Sequence, residues 1–282
     1  MNYMFLVIKG FFLGLANIIP GVSGGTIAIV MGIYEKLLNV INNFFKDIKK
    51  NIMFLVPIGV GAVIAIISLG KVISYSLDNY ALITILFFVG LILGGIPILY
   101  KEVKGKEKVS NGIFLFISYI LVIILSFGFT SNNQGVSFIN MNVMDYIKIF
   151  LVGVVAAATM IIPGISGSMV LLLLGYYEPI VEVVSNLTDF SDLWYNMSIL
   201  IPLGLGVILG VWLVAKLITW LFEKFKTKTY FAIIGFVLAS VVVMFGKNSN
   251  LNFDIVNIIG GIALFIIGLI ISYKLSMYEK EK

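Results

Sequence analysis

Apolar runs of membrane-crossing length follow one another along almost the whole chain, and two of them are broken by the same short motif. A helix needs about 20 apolar residues to cross a hydrocarbon core. Against that length, spans read at about 53–77, 80–100 and 111–129 in the first half, and at 197–222, 229–245 and 255–275 in the second. Ahead of each trio lies a longer apolar segment, 4–41 and 144–184, interrupted near its middle. A polar loop, 130–143, separates the halves. No water-soluble domain hides this much apolar surface, because 60% of the 282 residues are hydrophobic, 12% are charged and the mean hydropathy is +1.10. Lipid is the expected solvent. The opening Met1-Asn2-Tyr3-Met4 has neither a basic n-region nor a small-residue cleavage site, so no cleaved signal peptide is expected.

The two interruptions are alike. Ile18-Ile19-Pro20-Gly21-Val22-Ser23-Gly24-Gly25-Thr26 returns 143 residues later as Ile161-Ile162-Pro163-Gly164-Ile165-Ser166-Gly167-Ser168-Met169. Gly32-Ile33-Tyr34-Glu35 then matches Gly175-Tyr176-Tyr177-Glu178. Further on, Pro57-Ile58-Gly59-Val60-Gly61 matches Pro202-Leu203-Gly204-Leu205-Gly206, Lys71 matches Lys216 and Gly90 matches Gly235, all at an offset of 145. A collinear series of this kind divides the chain into two repeats, 1–130 and 140–282, within one membrane domain. Such repeats are typical of secondary transporters.

Loop charge decides how the repeats are related, because short cytoplasmic loops carry an excess of lysine and arginine. Lys46, Lys49 and Lys50 follow the first interrupted segment, and Lys101, Lys104, Lys106 and Lys108 follow the second full span. Lys224, Lys226 and Lys228 fall at 223–228, and Lys280 and Lys282 end the chain. The loops 130–144 and 185–196 carry no lysine, and the latter holds Asp189 and Asp192. An inverted arrangement puts every lysine-rich loop and both termini on the cytoplasmic side, whereas a parallel one strands Lys224, Lys226 and Lys228 outside. The uncharged limbs of the interrupted segments are short: ten residues between Lys9 and Pro20, nine from Thr26 to Tyr34, and 149–162 in the second half. At about 1.5 Å per residue none crosses a core of about 30 Å. The expected fold is therefore an all-α polytopic membrane protein of two inverted-topology repeats. Each is a re-entrant helical hairpin (4–41 and 144–184) plus three transmembrane helices, with paired tilted spans as the other geometry the segments allow.

Several chemistries are excluded by composition. The chain has no Cys and no His, which removes thiolate sites, the commonest metal ligand and the usual neutral-pH base. All 19 basic residues are Lys, so no arginine fork is present to clamp a phosphate. The pI near 9.2 reflects lysines in loops, a topology signal rather than a nucleic-acid surface. No metal or cofactor is expected.

What the motif offers is a turn at membrane depth, where backbone groups need partners within protein or water. Pro20 ends the first limb, Gly21 makes the turn, and Ser23 is placed to cap the second limb with Gly24, Gly25 and Thr26 in its first turn. Gly164, Ser166, Gly167 and Ser168 repeat the pattern. A helix N-terminus then points into the membrane from each hairpin, with free N–H groups and hydroxyls that favour a phosphate or carboxylate. Small residues in membrane helices also serve close packing, and serine also simply caps; duplication at matched positions favours binding. Asn17, replaced by Met160 in the second repeat, either joins the substrate site or makes an interhelical hydrogen bond. Glu35 and Glu178 lie 12 residues beyond Ser23 and Ser166, about 18 Å along a continuous helix. They are candidates for proton coupling or gating, or else interfacial carboxylates. Lys71 and Lys216 are weaker candidates for attracting an anionic headgroup, with snorkelling as the alternative. Tyr34 and Tyr177 read as interface-belt aromatics.

The stretch Ala16-Asn17-Ile18-Ile19-Pro20-Gly21-Val22-Ser23-Gly24-Gly25-Thr26, with Ile162-Pro163-Gly164-Ile165-Ser166-Gly167-Ser168 and the Gly-x-Tyr-Glu tetrapeptides, resembles the PopT family of polyprenyl-phosphate transporters. The resemblance covers nearly the whole chain. It implies return of undecaprenyl phosphate, the lipid carrier for peptidoglycan and other envelope polymers, to the cytoplasmic leaflet of the bacterial cell membrane. It also implies an Asp in many relatives where this chain has Asn17, which shifts any proton coupling here toward Glu35 and Glu178. Two rivals remain. A polyprenyl-diphosphate phosphatase is similar in carrying a Pro-Gly-x-Ser motif, but there an Arg follows, where this chain has Gly24 or Gly167. This chain also has no acidic cluster at membrane depth and no cationic or metal centre for phosphoryl transfer. The other rival is a carrier of a small anionic solute on the same scaffold. The sequence does not fix an oligomeric state.

Overall fold

The computed structural model describes residues 3–18, 22–128, 136–139, 141–185, 193–247 and 251–280. These residues form eleven α-helices and no strand. The first repeat contributes α1 (Tyr3–Ile18), α2 (Gly24–Val30), α3 (Tyr34–Asn42), α4 (Ile48–Asn79), α5 (Ala81–Val103) and α6 (Val109–Phe127). The second contributes α7 (Val143–Ile161), α8 (Gly167–Leu173), α9 (Tyr177–Ser185), α10 (Leu193–Lys247) and α11 (Ile255–Lys280). Phe225, at φ −135° and ψ 42°, breaks α10 into two arms, so the two repeats correspond element by element. Among the described residues, six helices are long and apolar enough to cross a membrane: α4, α5, α6, α7, α10 and α11.

Two expectations about the hairpins need correction. The first limbs are longer than the uncharged stretches suggested. Lys9 is fully buried within α1, so a lysine does not end that helix. In the second repeat Asn142 and Asp145 form a capping box, and Lys148 pairs with Asp145 at 2.9 Å. The helix therefore starts at Val143, and its 19 residues extend about 28 Å. The second limbs are shorter than expected. Helix α2 stops at Val30, Gly32 takes φ +72°, and α3 leaves at 115° to α2. Gly175, its repeat mate, has φ +75°. A left-handed residue ends a helix, and only glycine adopts it without steric cost. Glu35 consequently does not lie along a continuous helix from Ser23.

Packing follows the glycines. Helix α1 lies on α4 and α7 on the first arm of α10. A Cβ on Gly61 would stand 2.0 Å from the Val7 carbonyl oxygen, and one on Gly206 would stand 2.0 Å from that of Phe150. The repeat-matched pair Gly90 and Gly235 does the same between repeats: added Cβ atoms would come within 2.1 Å of the Phe265 oxygen and 2.2 Å of the Leu115 oxygen. Thus α5 packs on α11, and the second arm of α10 packs on α6. The third span of each repeat rests on the second span of the other.

These contacts also give directions. Gly10 faces Ile58 and Gly14 faces Ala62, so α1 and α4 ascend together; Gly206 facing Phe150 and Gly210 facing Val154 give the same sense to α7 and α10. Gly90 faces Phe265 and Gly94 faces Leu269, so α5 and α11 are parallel. The core centres on α2, where every residue but Gly24 is buried among α1, α5, α7 and α10. Its counterpart α8 leaves Ser168 and Leu172 exposed.

The crossings predict a sharp contrast between neighbouring glycines. Gly61→Val and Gly206→Val should each destabilise by about 2 kcal/mol or more, because backbone cannot yield there. Gly59→Ala and Gly204→Ala, which face open space, should stay within about 0.5 kcal/mol of the parent. Thermal unfolding of purified variants in detergent checks both.

Candidate functional site

The two hairpins meet. Helix α7 ends at Ile161, and a helix leaves its last carbonyls without intrahelical partners. Tyr34 Oη donates to the Ile161 carbonyl at 3.0 Å, and Ser23 Oγ donates to that of Ile162 at 3.4 Å. In return the Gly164 amide donates to Thr26 Oγ1 at 2.9 Å in a buried bond. Gly25 lies so close that a Cβ would stand 2.7 Å from the Ile161 oxygen. The first turn of α2 is thus seated on the turn at 161–164.

Ser23 takes the expected capping role. It is extended (φ −95°, ψ 135°), and its Oγ accepts from the Gly25 amide at 3.2 Å. Gly164 has φ +81°, and a Cβ there would stand 2.6 Å from the Phe236 oxygen, so the turn admits glycine alone. Its mate Gly21, together with Pro20, lies outside the described residues. Ser166 holds the capping position of α8 by backbone (φ −93°, ψ 127°), but its hydroxyl does not cap. It instead bonds the Ser168 hydroxyl at 2.7 Å. Gly167 packs against Ala156 and Met160. One tip is therefore sealed, with its hydroxyls in use, while the other presents a half-buried Ser166 and an exposed Ser168.

Asn17 is exposed and donates to the Leu13 carbonyl at 3.0 Å within its own helix. Its carboxamide flanks Gly24, where a Cβ would stand 3.5 Å from Oδ1. That places it beside the α2 N-terminus rather than in an interhelical bond. Asn17, Ser23, Gly24, Gly25, Thr26 and Gly164 thus share one locality, and Ser166, Gly167 and Ser168 continue from it.

The carboxylates differ from one another. Tyr230 Oη, from the second arm of α10, donates to Glu35 Oε1. Together they line a cavity of about 200 Å³ with Gly32, Tyr34, Glu102 and Phe222. Glu102 pairs with Lys226 at 3.3 Å. Glu178 is exposed at the start of α9. Tyr34 is not an interface aromatic: it is buried and holds the second hairpin, because its hydroxyl reaches an orphan carbonyl. Lys71 and Lys216 are exposed, and the Lys216 ammonium lies 5.0 Å from the Trp212 ring centre, a snorkelling geometry. Among the described residues, no hydrogen bond or ion pair joins Lys71, Lys216 or Glu178 to the tips, and no cluster of acidic residues is placed to hold a metal. Sequence reasoning missed Tyr230. Its position 145 residues back is Ile85, so the repeat gave no cue.

The seat predicts a clear order among substitutions at Thr26. Thr26→Val leaves the buried Gly164 amide without an acceptor and should cost about 1–3 kcal/mol, whereas Thr26→Ser should keep most of the stability. Thermal unfolding distinguishes the two.

The chain compares with known proteins over nearly its full length. The model of the undecaprenyl phosphate translocase-like family matches residues 13–258. The chain is 31% identical over 279 residues to a polyprenyl-phosphate transporter of Staphylococcus aureus, covering 98% of this chain and 96% of that one. It is 29% identical over 257 residues to a polyprenyl-phosphate transporter of Vibrio cholerae, covering 86% of this chain and 77% of the other. No solved structure matches it. Both motif turns, 18–26 and 161–169, fall inside the matched region, and the chain belongs to the undecaprenyl phosphate translocase-like family.

Proposed function

We propose that this protein is a transporter, not an enzyme, that returns undecaprenyl phosphate from the outer to the cytoplasmic leaflet of the bacterial cell membrane for reuse in peptidoglycan and other envelope polymers. The names of the two relatives support the substrate class. The observation that carries the mechanism is the meeting of the two matched tips through Thr26 and Gly164.

The repeats are inverted on this reading. Helices α1 and α4 run parallel, so the chain between them returns to the face from which α1 set out. Spans α5 and α6 are joined by a short loop and so run oppositely; α6 is parallel to the second arm of α10, where Gly235 faces Leu115 and Gly246 faces Phe127. Span α5 is then opposed to its own repeat mate. The segments 105–111 and 223–228 line one basin, which supports a single lysine-rich, cytoplasmic side with both termini on it.

The phosphate is held at the tips. In helices of only seven residues, first-turn amides and hydroxyls count for more than a long dipole. Ser166, Gly167 and Ser168 with Gly164 offer donors in the open tip; Asn17, Gly21, Ser23, Gly24, Gly25 and Thr26 offer them when the first tip is released. Alternation between a seated and a released hairpin would present the site to each leaflet in turn. Glu35, bonded to Tyr230 beside the residue that grips the second tip, couples this exchange to protons, with Glu178 as its counterpart in the opposite state. Lys71 and Lys216 contribute at most a weak attraction for the headgroup.

The test is leaflet-to-leaflet movement of labelled undecaprenyl phosphate in proteoliposomes. The parent protein should accelerate it, and Ser23→Ala/Ser166→Ala should abolish it. Because Ser23→Ala also removes a cap worth about 1 kcal/mol, Ser166→Ala/Ser168→Ala serves as a second variant with the first tip intact. Glu35→Gln should remove the response to an imposed pH gradient. No acceleration by the parent protein under any gradient would overturn the reading.

A further inference from the structure

Two cavities adjoin the break in α10 at Phe225. One, of about 440 Å³, runs from Ile162 and Pro163 at the second hairpin past Leu217 and Phe236 to Phe225 and Lys228. Its walls are apolar but for three residues. Thr229 spends its hydroxyl on the Leu221 and Phe225 carbonyls at 3.1 Å each, and Tyr34 spends its own on Ile161. Lys228 is the third. The other cavity, of about 620 Å³, is a basin lined by Lys106, Lys108, Lys224, Lys226 and Lys228, with Glu223 its one acidic lining residue. Phe225 and Lys228 line both, so the apolar groove and the basic basin lie side by side with these two residues between them.

Lys228 is positioned rather than neutralised. Its ammonium lies 5.2 Å from the Phe114 ring centre and 5.4 Å from that of Phe225, and among the described residues no carboxylate is within ion-pair distance of it. Two aromatic faces hold a cation in place without cancelling its charge for an incoming anion. By contrast, Lys226 is already engaged by Glu102. Nothing in the basin resembles an arginine fork, so it attracts a phosphate without fixing its orientation.

A ligand that satisfies both cavities has one anionic end and a long hydrocarbon body. A soluble anion would fill the basin and leave the groove empty; a neutral hydrocarbon would do the reverse. We propose that the groove and basin together are the docking portal for polyprenyl phosphate on the lysine-rich face. The phosphate rests on Lys228 among Lys106, Lys108 and Lys224, and the first prenyl units lie along the groove toward Pro163. This rests on the transport reading above and adds to it a place where the lipid waits before its headgroup reaches the tips. It also gives the lysines at 106–108 and 224–228 a role beyond setting topology.

Photolabelling tests it directly. The full-length protein in phosphatidylcholine bilayers is exposed to a polyprenyl monophosphate carrying a diazirine in its first isoprene unit, and the labelled peptides are mapped. Label should fall on α6 near Phe114 and on α10 between Val214 and Phe236. Excess undecaprenyl phosphate should displace it, while equal phosphatidylglycerol or inorganic phosphate should not. Lys228→Gln should reduce labelling about tenfold, the size of one charge-assisted hydrogen bond. Ala232→Trp, which fills the groove, should remove it in protein that still unfolds cooperatively. Label elsewhere, displacement by phosphatidylglycerol, or labelling indifferent to both substitutions overturns the portal. Groove labelling without any leaflet-to-leaflet movement would sustain the portal and remove the transport reading; movement without groove labelling would do the opposite.

Discussion

A helix that stops inside a membrane leaves carbonyls with neither water nor a next turn to bond them. Helix α7 ends at Ile161 against the other repeat, and the structure depends on how its last carbonyls are satisfied. Two hydroxyls from the other repeat, of Ser23 and Tyr34, take up the carbonyls of Ile162 and Ile161, and Thr26 takes up the amide of Gly164. None of these bonds is local in sequence. An unpaired buried polar group costs about 1–3 kcal/mol, so the two hairpins hold each other by polar obligation rather than by shape alone. Polar bonds of this kind can be exchanged one for another, which a jigsaw of buried leucines does not permit.

The spans around the hairpins are built differently. Glycines bring α1 against α4, α7 against α10, α5 against α11 and α6 against α10 until backbone meets backbone. Such crossings suit lipid, where burial of apolar surface gives helices no reason to associate and close van der Waals contact must supply it. Because each third span rests on the other repeat, the two halves are interlocked and cannot drift apart as rigid units. The short helices, α2 with α3 and α8 with α9, are instead joined by bends at Gly32 and Gly175.

The frame was largely legible in the sequence, and the reasons are particular. Pro202 and Gly206 matched Pro57 and Gly61 because both repeats need the same close crossing, and Ser23 announced its cap through the Pro-Gly-x-Ser-Gly order. What was not legible lay between the repeats. Tyr230 meets Glu35 across 195 positions, and no periodicity in either segment points to the other. The bend at Gly32 was hidden because a glycine inside an apolar run fits a continuous helix equally well on paper. Lys9 misled in the opposite direction, since a lysine buried in α1 looks like the end of a span. The seated state of α2 and the open state of α8 could not have been read from two nearly identical motifs. Identical chemistry with unequal burial is a property of the conformation, not of the residues.

The absence of arginine takes on meaning in that light. A guanidinium presents a rigid fork that holds a phosphate through two parallel, charge-assisted bonds. A carrier has no use for such a grip, because every unit of affinity gained on one face must be surrendered on the other. On the proposed function, hydroxyls and backbone amides at the tips hold the anion more weakly and through single bonds, and lysines in the loops draw it by charge without fixing its geometry. On the proposed function, the same economy explains why the charge lies at the face and the neutral donors lie between the hairpins. A strong cation at the tips would have to be desolvated along with its phosphate, and the pair, once formed in a medium of low dielectric, would be slow to part.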